Sequence, residues 1–206
     1  MHMRMTNYAL DNFVAPHLSD LTVNSAREIS IYNGQVDFWL SNFILNSMLE
    51  IKVEEQLRKY IFNFLRRVAS AFHEYENGRN MLNKFLAGSR EAISKYLAAV
   101  LHFEIAIAHT YQAYMLGKNM AGEEKLFHKK DTTPLQRLNK IYNQTKHIDD
   151  KISKGQLPEK GTIPVWLTNE GLECTEAKLS FEEFADLLIE LSNIAEKLSK
   201  LQLIEK

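Results

Sequence analysis

Apolar residues recur at helical spacing along most of the chain. From residue 36 to about 75 they follow one another every three or four positions with charged residues between them, which predicts an amphipathic helix. An Asn77-Gly78 break signal follows, and then a shorter helical piece at residues 81–86. A third helix is expected to start at Ser89, a good N-cap, and to run to residue 116, where Gly117 is the expected stop. Because it is apolar almost all round, it should be the most buried helix.

The C-terminal part of the chain carries clear start signals for two further helices. Thr133-Pro134-Leu135-Gln136 combines a cap, a proline at the first helical position and a capping box, and its helix is expected to end near Gly155. Residues 162–172 predict a small hairpin or an extended loop, and Ser180-Phe181-Glu182-Glu183 is a second capping box. These elements predict an all-α protein, an antiparallel bundle of four to five helices with a short extended insertion before the last helix. Residues 1–33 are expected to form an arm that packs on a helical domain of residues 34–206.

Composition narrows the function classes. The 206 residues include 25 basic and 26 acidic ones, so no overall charge draws the chain to nucleic acid or membrane. The single cysteine, Cys174, excludes an intramolecular disulfide, and its acidic neighbours are expected to raise its thiol pKa. No signal peptide or apolar run of about 18 residues is evident, which favours a cytoplasmic protein without a membrane partner.

Cofactor and metal motifs are not evident in the sequence. There is no Gly-rich phosphate loop, serine nucleophile elbow or zinc pattern. His102 and His109 lie seven positions, or about 10 Å, apart on one helix face, too far to hold one metal ion without other ligands. We therefore expect no metal and no cofactor, and polar contacts for these two histidines inside the bundle or at a dimer interface.

Charge is distributed unevenly along the second half of the chain. Residues 125–160 hold nine basic and four acidic residues, whereas residues 161–206 hold four basic and nine acidic ones. A protein that is neutral overall can thus present a local basic surface. Alternatively, the two segments neutralise each other across the bundle.

The helix that begins at Thr133 is where the sequence hints at chemistry. A rotation of about 100° per residue puts six residues on its core side: Leu138, Ile141, Tyr142, Thr145, Ile148 and Ile152. The opposite side carries Gln136, Lys140, Asn143, His147, Lys151 and Lys154. A histidine beside lysines can exchange a proton at neutral pH next to a bound phosphate, as RNA cleavage by the 2′-hydroxyl requires. The alternative is an ordinary solvated face with a surface histidine.

A resemblance to a known family rests on this segment. The bundle, with the run from Arg137 to His147 and the later Val165-Trp166-Leu167-Thr168-Asn169-Glu170-Gly171-Leu172, resembles the HEPN superfamily (higher eukaryotes and prokaryotes nucleotide-binding). The resemblance implies a homodimer that binds RNA or a nucleotide. Many members are metal-independent ribonucleases of bacterial toxin–antitoxin, abortive-infection or CRISPR systems, and others are non-catalytic binding bundles.

The family's ribonuclease motif is an arginine followed, after four to six residues, by a histidine. His147 matches that histidine, but the positions at the right distance upstream offer only Lys140 as a cation, and Arg137 lies too far away. The resemblance thus leaves two alternatives, a variant site with His147, Asn143 and Lys146 in the catalytic roles or a degenerate, inactive site. Nucleic acid would be held by Lys140, Arg137, Lys151 and Lys154. The competing class is a non-enzymatic interaction or scaffold bundle whose polar face is only a surface.

Overall fold

The chain is mostly helical, as the sequence predicts, with one small sheet near its C-terminal end. The computed structural model describes residues 6–49, 53–88, 93–127 and 131–200. The helices are α1 (Asn7–Phe13), α2 (Asn33–Leu49), α3 (Glu55–Ala87), α4 (Ile93–Ala121), α5 (Pro134–Lys146), α6 (Ile148–Ser153) and α7 (Phe181–Ser199). The strands are β1 (Val165–Leu167), β2 (Gly171–Cys174) and β3 (Ala177–Ser180). No helix in the described ranges is both long and apolar enough to cross a lipid bilayer.

The single helix predicted over residues 36 to about 75 is wrong, because two helices share that stretch. α2 ends at Leu49 and α3 begins at Glu55. The side chain of Glu54 accepts hydrogen bonds from the backbone N–H groups of Gln56 and Leu57 at 3.1 and 3.2 Å, so it caps the start of α3. A glutamate is an unusual cap, which is why the apolar periodicity alone did not reveal the boundary.

The break predicted at Asn77-Gly78 is also wrong, since α3 continues to Ala87. Gly78 is buried, and a Cβ atom there would lie 3.0 Å from the ring of Phe103 on α4. The glycine therefore lets two helices approach closely. The packing gained offsets the roughly 1 kcal/mol that a mid-helix glycine costs.

α4 passes through the stop predicted at Gly117 and ends one turn later, at Ala121. The next residue, Gly122, has the positive φ of 71° that is typical of a helix C-terminus. The predicted N-cap, Ser89, lies outside the described residues.

The start signals of α5 and α7 are confirmed. Thr133 Oγ1 accepts a hydrogen bond from the backbone N–H of Gln136 at 3.3 Å, and Pro134 is at the first helical position. The reciprocal bond expected from Gln136 is not made, because Asp131 accepts from the backbone N–H of Thr133 instead. At Ser180 both bonds of the capping box are present.

The predicted hairpin is confirmed and belongs to a three-stranded antiparallel sheet in the order β1-β2-β3. Trp166 pairs with Glu173, and Glu173 pairs with Lys178 on β3. A Cβ atom at Gly171 would lie 2.1 Å from the carbonyl oxygen of Leu179, so only glycine fits at that crossing. The third strand was not predicted, since residues 177–180 carry a helix start signal and are too few for a strand pattern.

The residues that precede α2 pack on the rest of the structure. Leu18, Leu21 and Ile29 are each no more than 1% exposed. The buried carboxylate of Glu76 accepts a hydrogen bond from the backbone N–H of Ile29 at 2.9 Å. Arg79 donates through Nε to the carbonyl oxygen of Ala26 at 3.1 Å, so α3 holds this segment through its backbone.

Candidate functional site

The helix that carries the predicted site is interrupted at His147. α5 ends at Lys146 and α6 begins at Ile148, with His147 between them at φ −117° and ψ 35°. The helix predicted to reach Gly155 is therefore wrong. The core positions predicted beyond the interruption are wrong as well, because Ile148 and Ile152 are 38% and 58% exposed.

A tertiary contact accounts for the end of α5. The side chain of Gln144 is buried, and its amide donates to Glu176 Oε1 at 2.7 Å and to Thr175 Oγ1 at 3.3 Å. The last turn of α5 is thus fixed to the turn between β2 and β3. α6 has no buried residue, so little packing holds it in line with α5.

The three residues predicted as catalytic do not meet at one point. The His147 side chain is exposed and makes no hydrogen bond or ion pair with any described residue. The amide of Asn143 donates to Asn139 Oδ1 on the same helix at 3.1 Å. The Nζ atom of Lys146 lies 5.8 Å from the centre of the Tyr142 ring.

Three of the four residues predicted to bind nucleic acid are paired with carboxylates. Arg137 contacts Glu183 on α7, Lys151 contacts Glu176, and Lys154 contacts Asp150. Two of these pairs join the basic segment to the acidic one, which favours the alternative that the segments neutralise each other. Lys140 has no carboxylate partner among the described residues.

A second polar cluster lies where α3 and α4 run antiparallel. Arg67 Nη1 is 2.9 Å from His109 Nδ1, and Glu74 Oε2 is 2.6 Å from His102 Nδ1. Residues 67 and 74 are seven apart on α3, as are residues 102 and 109 on α4, so both contacts lie on the same face of the helix pair. We call the Arg67–His109 and Glu74–His102 contacts the two rungs. A separation of seven residues places the rungs about 10 Å apart.

In the Arg67–His109 rung the histidine is neutral. A guanidinium has only donors, so Nδ1 of His109 must accept, and its proton is on Nε2. Burial lowers the pKa of His109, and the positive charge of Arg67 lowers it further. Burial also lowers the pKa of Arg67, as does neighbouring Arg66.

In the Glu74–His102 rung the carboxylate accepts the Nδ1 proton. The other ring nitrogen, Nε2, then carries the lone pair in the neutral ring. Carboxylate-oriented imidazoles of this kind serve as general bases and as metal ligands. The two side chains are about a quarter exposed. Among the described residues, no group of three or more histidine, cysteine, aspartate and glutamate side chains is arranged to hold a metal ion.

An aromatic stack connects α5 to this cluster. The Tyr111 ring stacks with Phe127 and with Tyr142, at centre-to-centre distances of 5.5 and 4.3 Å and with nearly parallel planes. Tyr142 is close enough to Arg67 to influence its pKa, and Lys146 lies over the Tyr142 ring. Lys146 is thus the predicted catalytic residue that the structure links to the α3–α4 rungs.

One buried acceptor beside the first rung has no partner among the described residues. The Oε1 atom of Gln112 is buried without a hydrogen bond. Gln112 follows His109 by three positions and is therefore its neighbour on the surface of α4.

Cys174 is not part of the site. It is buried in β2, and burial raises the pKa of its thiol more than the predicted acidic neighbours do. The expected direction of the pKa shift is confirmed, and the main cause is burial.

The polar contacts expected for His102 and His109 are confirmed, but their partners Arg67 and Glu74 were not predicted, because each contact joins residues far apart in the sequence. The sequence did contain one indication of these contacts. Arg67 and Glu74 on α3 have the same separation as His102 and His109 on α4, so two antiparallel helices can pair them. Comparison of the chain with protein-family models, with curated proteins and with solved structures finds no match.

Proposed function

We propose that this chain is a HEPN-like helical bundle that binds RNA or a nucleotide on the face where α3, α4 and α5 meet. The observation that carries the proposal is the pairing of Arg67 with the neutral ring of His109. The charge of Arg67 is balanced by no carboxylate among the described residues.

Three of the other described arginines provide a contrast, whereas Arg58 and Arg66 form no ion pair with a described carboxylate. Arg27, Arg79 and Arg137 each form an ion pair with one or two carboxylates. Arg67 instead lies beside a second guanidinium, that of Arg66, and both burial and that charge lower its pKa. A phosphate group placed there would relieve the repulsion and accept charge-assisted hydrogen bonds.

The surroundings fit a nucleotide better than a bare anion. Nε2–H of His109 is a donor for a phosphate oxygen. Lys146 adds a second flexible cation above the Tyr142 ring. Aromatic rings next to cations are the usual surroundings of bases and phosphates in RNA-binding sites.

The two rungs support a binding role for His109 and, for any catalytic role, a different histidine. His109 can accept a proton only after its Nδ1 leaves Arg67, which makes it a poor base. Glu74 orients the ring of His102, and the Nε2 lone pair of His102 is available to accept a proton. A metal-independent ribonuclease activity would therefore use His102 as the base, with Arg67 and His109 on the phosphate.

The homodimer implied by the resemblance remains part of the proposal, and α2 offers a surface for it. Phe38, Leu45 and Leu49 share one face of that helix and are 63%, 54% and 76% exposed, with Met48 beside them at 78%. Exposed apolar side chains grouped in this way are typical of contact surfaces. The buried side of α2, with Val36, Trp39 and Phe43, packs in the core.

The proposal is tested by the binding of a fluorescein-labelled 20-nucleotide single-stranded RNA, followed by fluorescence anisotropy. Arg67→Gln is expected to weaken binding about tenfold, or ~1.4 kcal/mol. Lys84→Gln removes one charge from the same helix about 25 Å away, and it should change the affinity less than twofold. Equal effects of the two substitutions, or no RNA binding by the unsubstituted protein, would contradict the proposal.

A further inference from the structure

A cleft of about 1000 Å³ opens along α7, away from the residues of the two rungs. Its α7 wall runs from Glu183 to Leu198 through Leu187, Leu191 and Ile194, positions that recur every three or four residues. These positions form one continuous helix face about 22 Å long. We call this cleft the α7 groove.

The bottom of the α7 groove is apolar and belongs to the core. Ile61 and Phe64 of α3 are fully buried, and Leu187, Leu191 and Leu198 of α7 are at most 7% exposed. The apolar surface still open to a ligand belongs to the partly exposed lining residues Leu57, Met120, Leu126, Leu135 and Ile194. Burial of that surface contributes about 25 cal/mol for each Å² removed from water.

The charged residues around the α7 groove are mostly acidic. Its described lining includes five carboxylates and one lysine, namely Glu123, Asp131, Glu183, Asp186 and Glu190 with Lys118. Glu183 and Asp186 each contact an arginine that lies outside the lining, Arg137 and Arg27. Glu190 is exposed and accepts a neutral hydrogen bond from the Tyr114 hydroxyl at 2.9 Å.

We propose that the α7 groove binds an amphipathic helix of a partner protein, with an apolar stripe flanked by lysine or arginine. We choose a helix as the ligand because residues of four successive turns of α7 line the groove without a gap. A compact small molecule would use only part of that length. We choose a helix with basic flanks because the rim of the groove is acidic. Apolar residues of that helix at i, i+3 or i+4, and i+7 would contact the apolar floor.

The charge pattern also defines what the α7 groove should reject. An acidic helix with the same apolar stripe would bring its carboxylates against Glu123 and Glu190, which costs Coulomb energy at low ionic strength. Discrimination between basic and acidic helices is therefore the property that separates this proposal from simple hydrophobic adsorption.

The test uses two 18-residue helical peptides with the same leucine stripe, one flanked by lysine and the other by glutamate. Fluorescence anisotropy with the full chain should show at least tenfold tighter binding of the lysine peptide at 50 mM salt, with a smaller difference at 500 mM. Glu123→Lys/Glu190→Lys should reverse the preference. Ile194→Asp should abolish binding of both peptides while circular dichroism shows an intact fold.

Three outcomes would overturn the proposal. The first is equal affinity for the two peptides at both salt concentrations, and the second is no binding of either peptide to the full chain. The third is binding of the lysine peptide only to a variant that ends at Lys200, because residues 201–206 of the chain itself would then be the occupant.

Discussion

The Nη1 atom of Arg67 lies 2.9 Å from Nδ1 of His109, which is a contact between a cation and a neutral ring. The basic residues Lys59 and Arg79 of α3 are instead paired with carboxylates. The Glu74–His102 contact lies two helical turns away in the same antiparallel register. One rung thus holds a positive charge that a phosphate can balance, and the other holds an oriented base.

The first prediction concerns the titration of His109. Its pKa should lie below the ordinary 6.5, because burial and the charge of Arg67 both disfavour the imidazolium. Arg67→Gln should raise that pKa, which NMR of the histidine ring protons measures directly. Lys84→Gln serves as the control and should leave the His109 pKa unchanged. A pKa at or above 6.5 in the unsubstituted protein would contradict this view of the rung.

A second prediction follows from Glu104 on α4, whose carboxyl pKa burial raises from 4.5 to about 7. In the folded state this group keeps its proton up to a higher pH than in the unfolded chain, so stability should fall as pH rises from about 4.5 to 7. The shift corresponds to at most about 3 kcal/mol.

Glu104→Gln should therefore raise the melting temperature at pH 8 and have little effect at pH 4.5. Glu124→Gln, at an exposed position, provides the matched control. The same effect of Glu104→Gln at both pH values would show that its carboxyl group titrates normally.

A third prediction concerns Gly78, where a Cβ atom would press on the Phe103 ring. Alanine is more favourable than glycine inside a helix by about 1 kcal/mol, but overpacking against a fully buried ring costs about 1–3 kcal/mol. Gly78→Ala should thus lower the free energy of unfolding by about 1 kcal/mol in urea titrations. Gly34→Ala on α2 has open space around the new methyl group and should be neutral or stabilising. A stabilising Gly78→Ala would show that the two helices can separate at no cost.

A fourth prediction concerns the exposed face of α2. Leu45→Glu/Leu49→Glu should convert a dimer into a monomer in light scattering coupled to size-exclusion chromatography. Gln35→Glu, which adds charge at another exposed position of the same helix, should leave the dimer intact. A monomeric unsubstituted protein at about 100 µM, or a dimeric double variant, would remove α2 as the contact surface.

Local signals in the sequence were sufficient where a structure depends on neighbouring residues. The caps at Thr133 and Ser180 were predictable because a side chain reaches a backbone group three residues away. Asp149 and Asp150, at the start of α6, were a similar signal for a new helix that the apolar periodicity obscured.

The remaining features depend on contacts between distant segments. Gly78 is recognised as a packing residue only once Phe103 is known to lie against it, and α5 ends where Gln144 is held by Glu176. The pairing of Arg67 with His109 likewise requires the register of α3 and α4. For this reason the sequence indicated the helical class and several boundaries, but not the polar rungs.

The salt dependence of RNA binding shows whether Arg67 contacts an RNA phosphate. If Arg67 contacts a phosphate, Arg67→Gln should weaken binding and reduce the slope of log affinity against log salt by about 0.7, the counterion release for one phosphate contact on a single strand. Lys84→Gln should retain the slope of the unsubstituted protein. Identical slopes for Arg67→Gln and the unsubstituted protein would contradict a phosphate contact at Arg67.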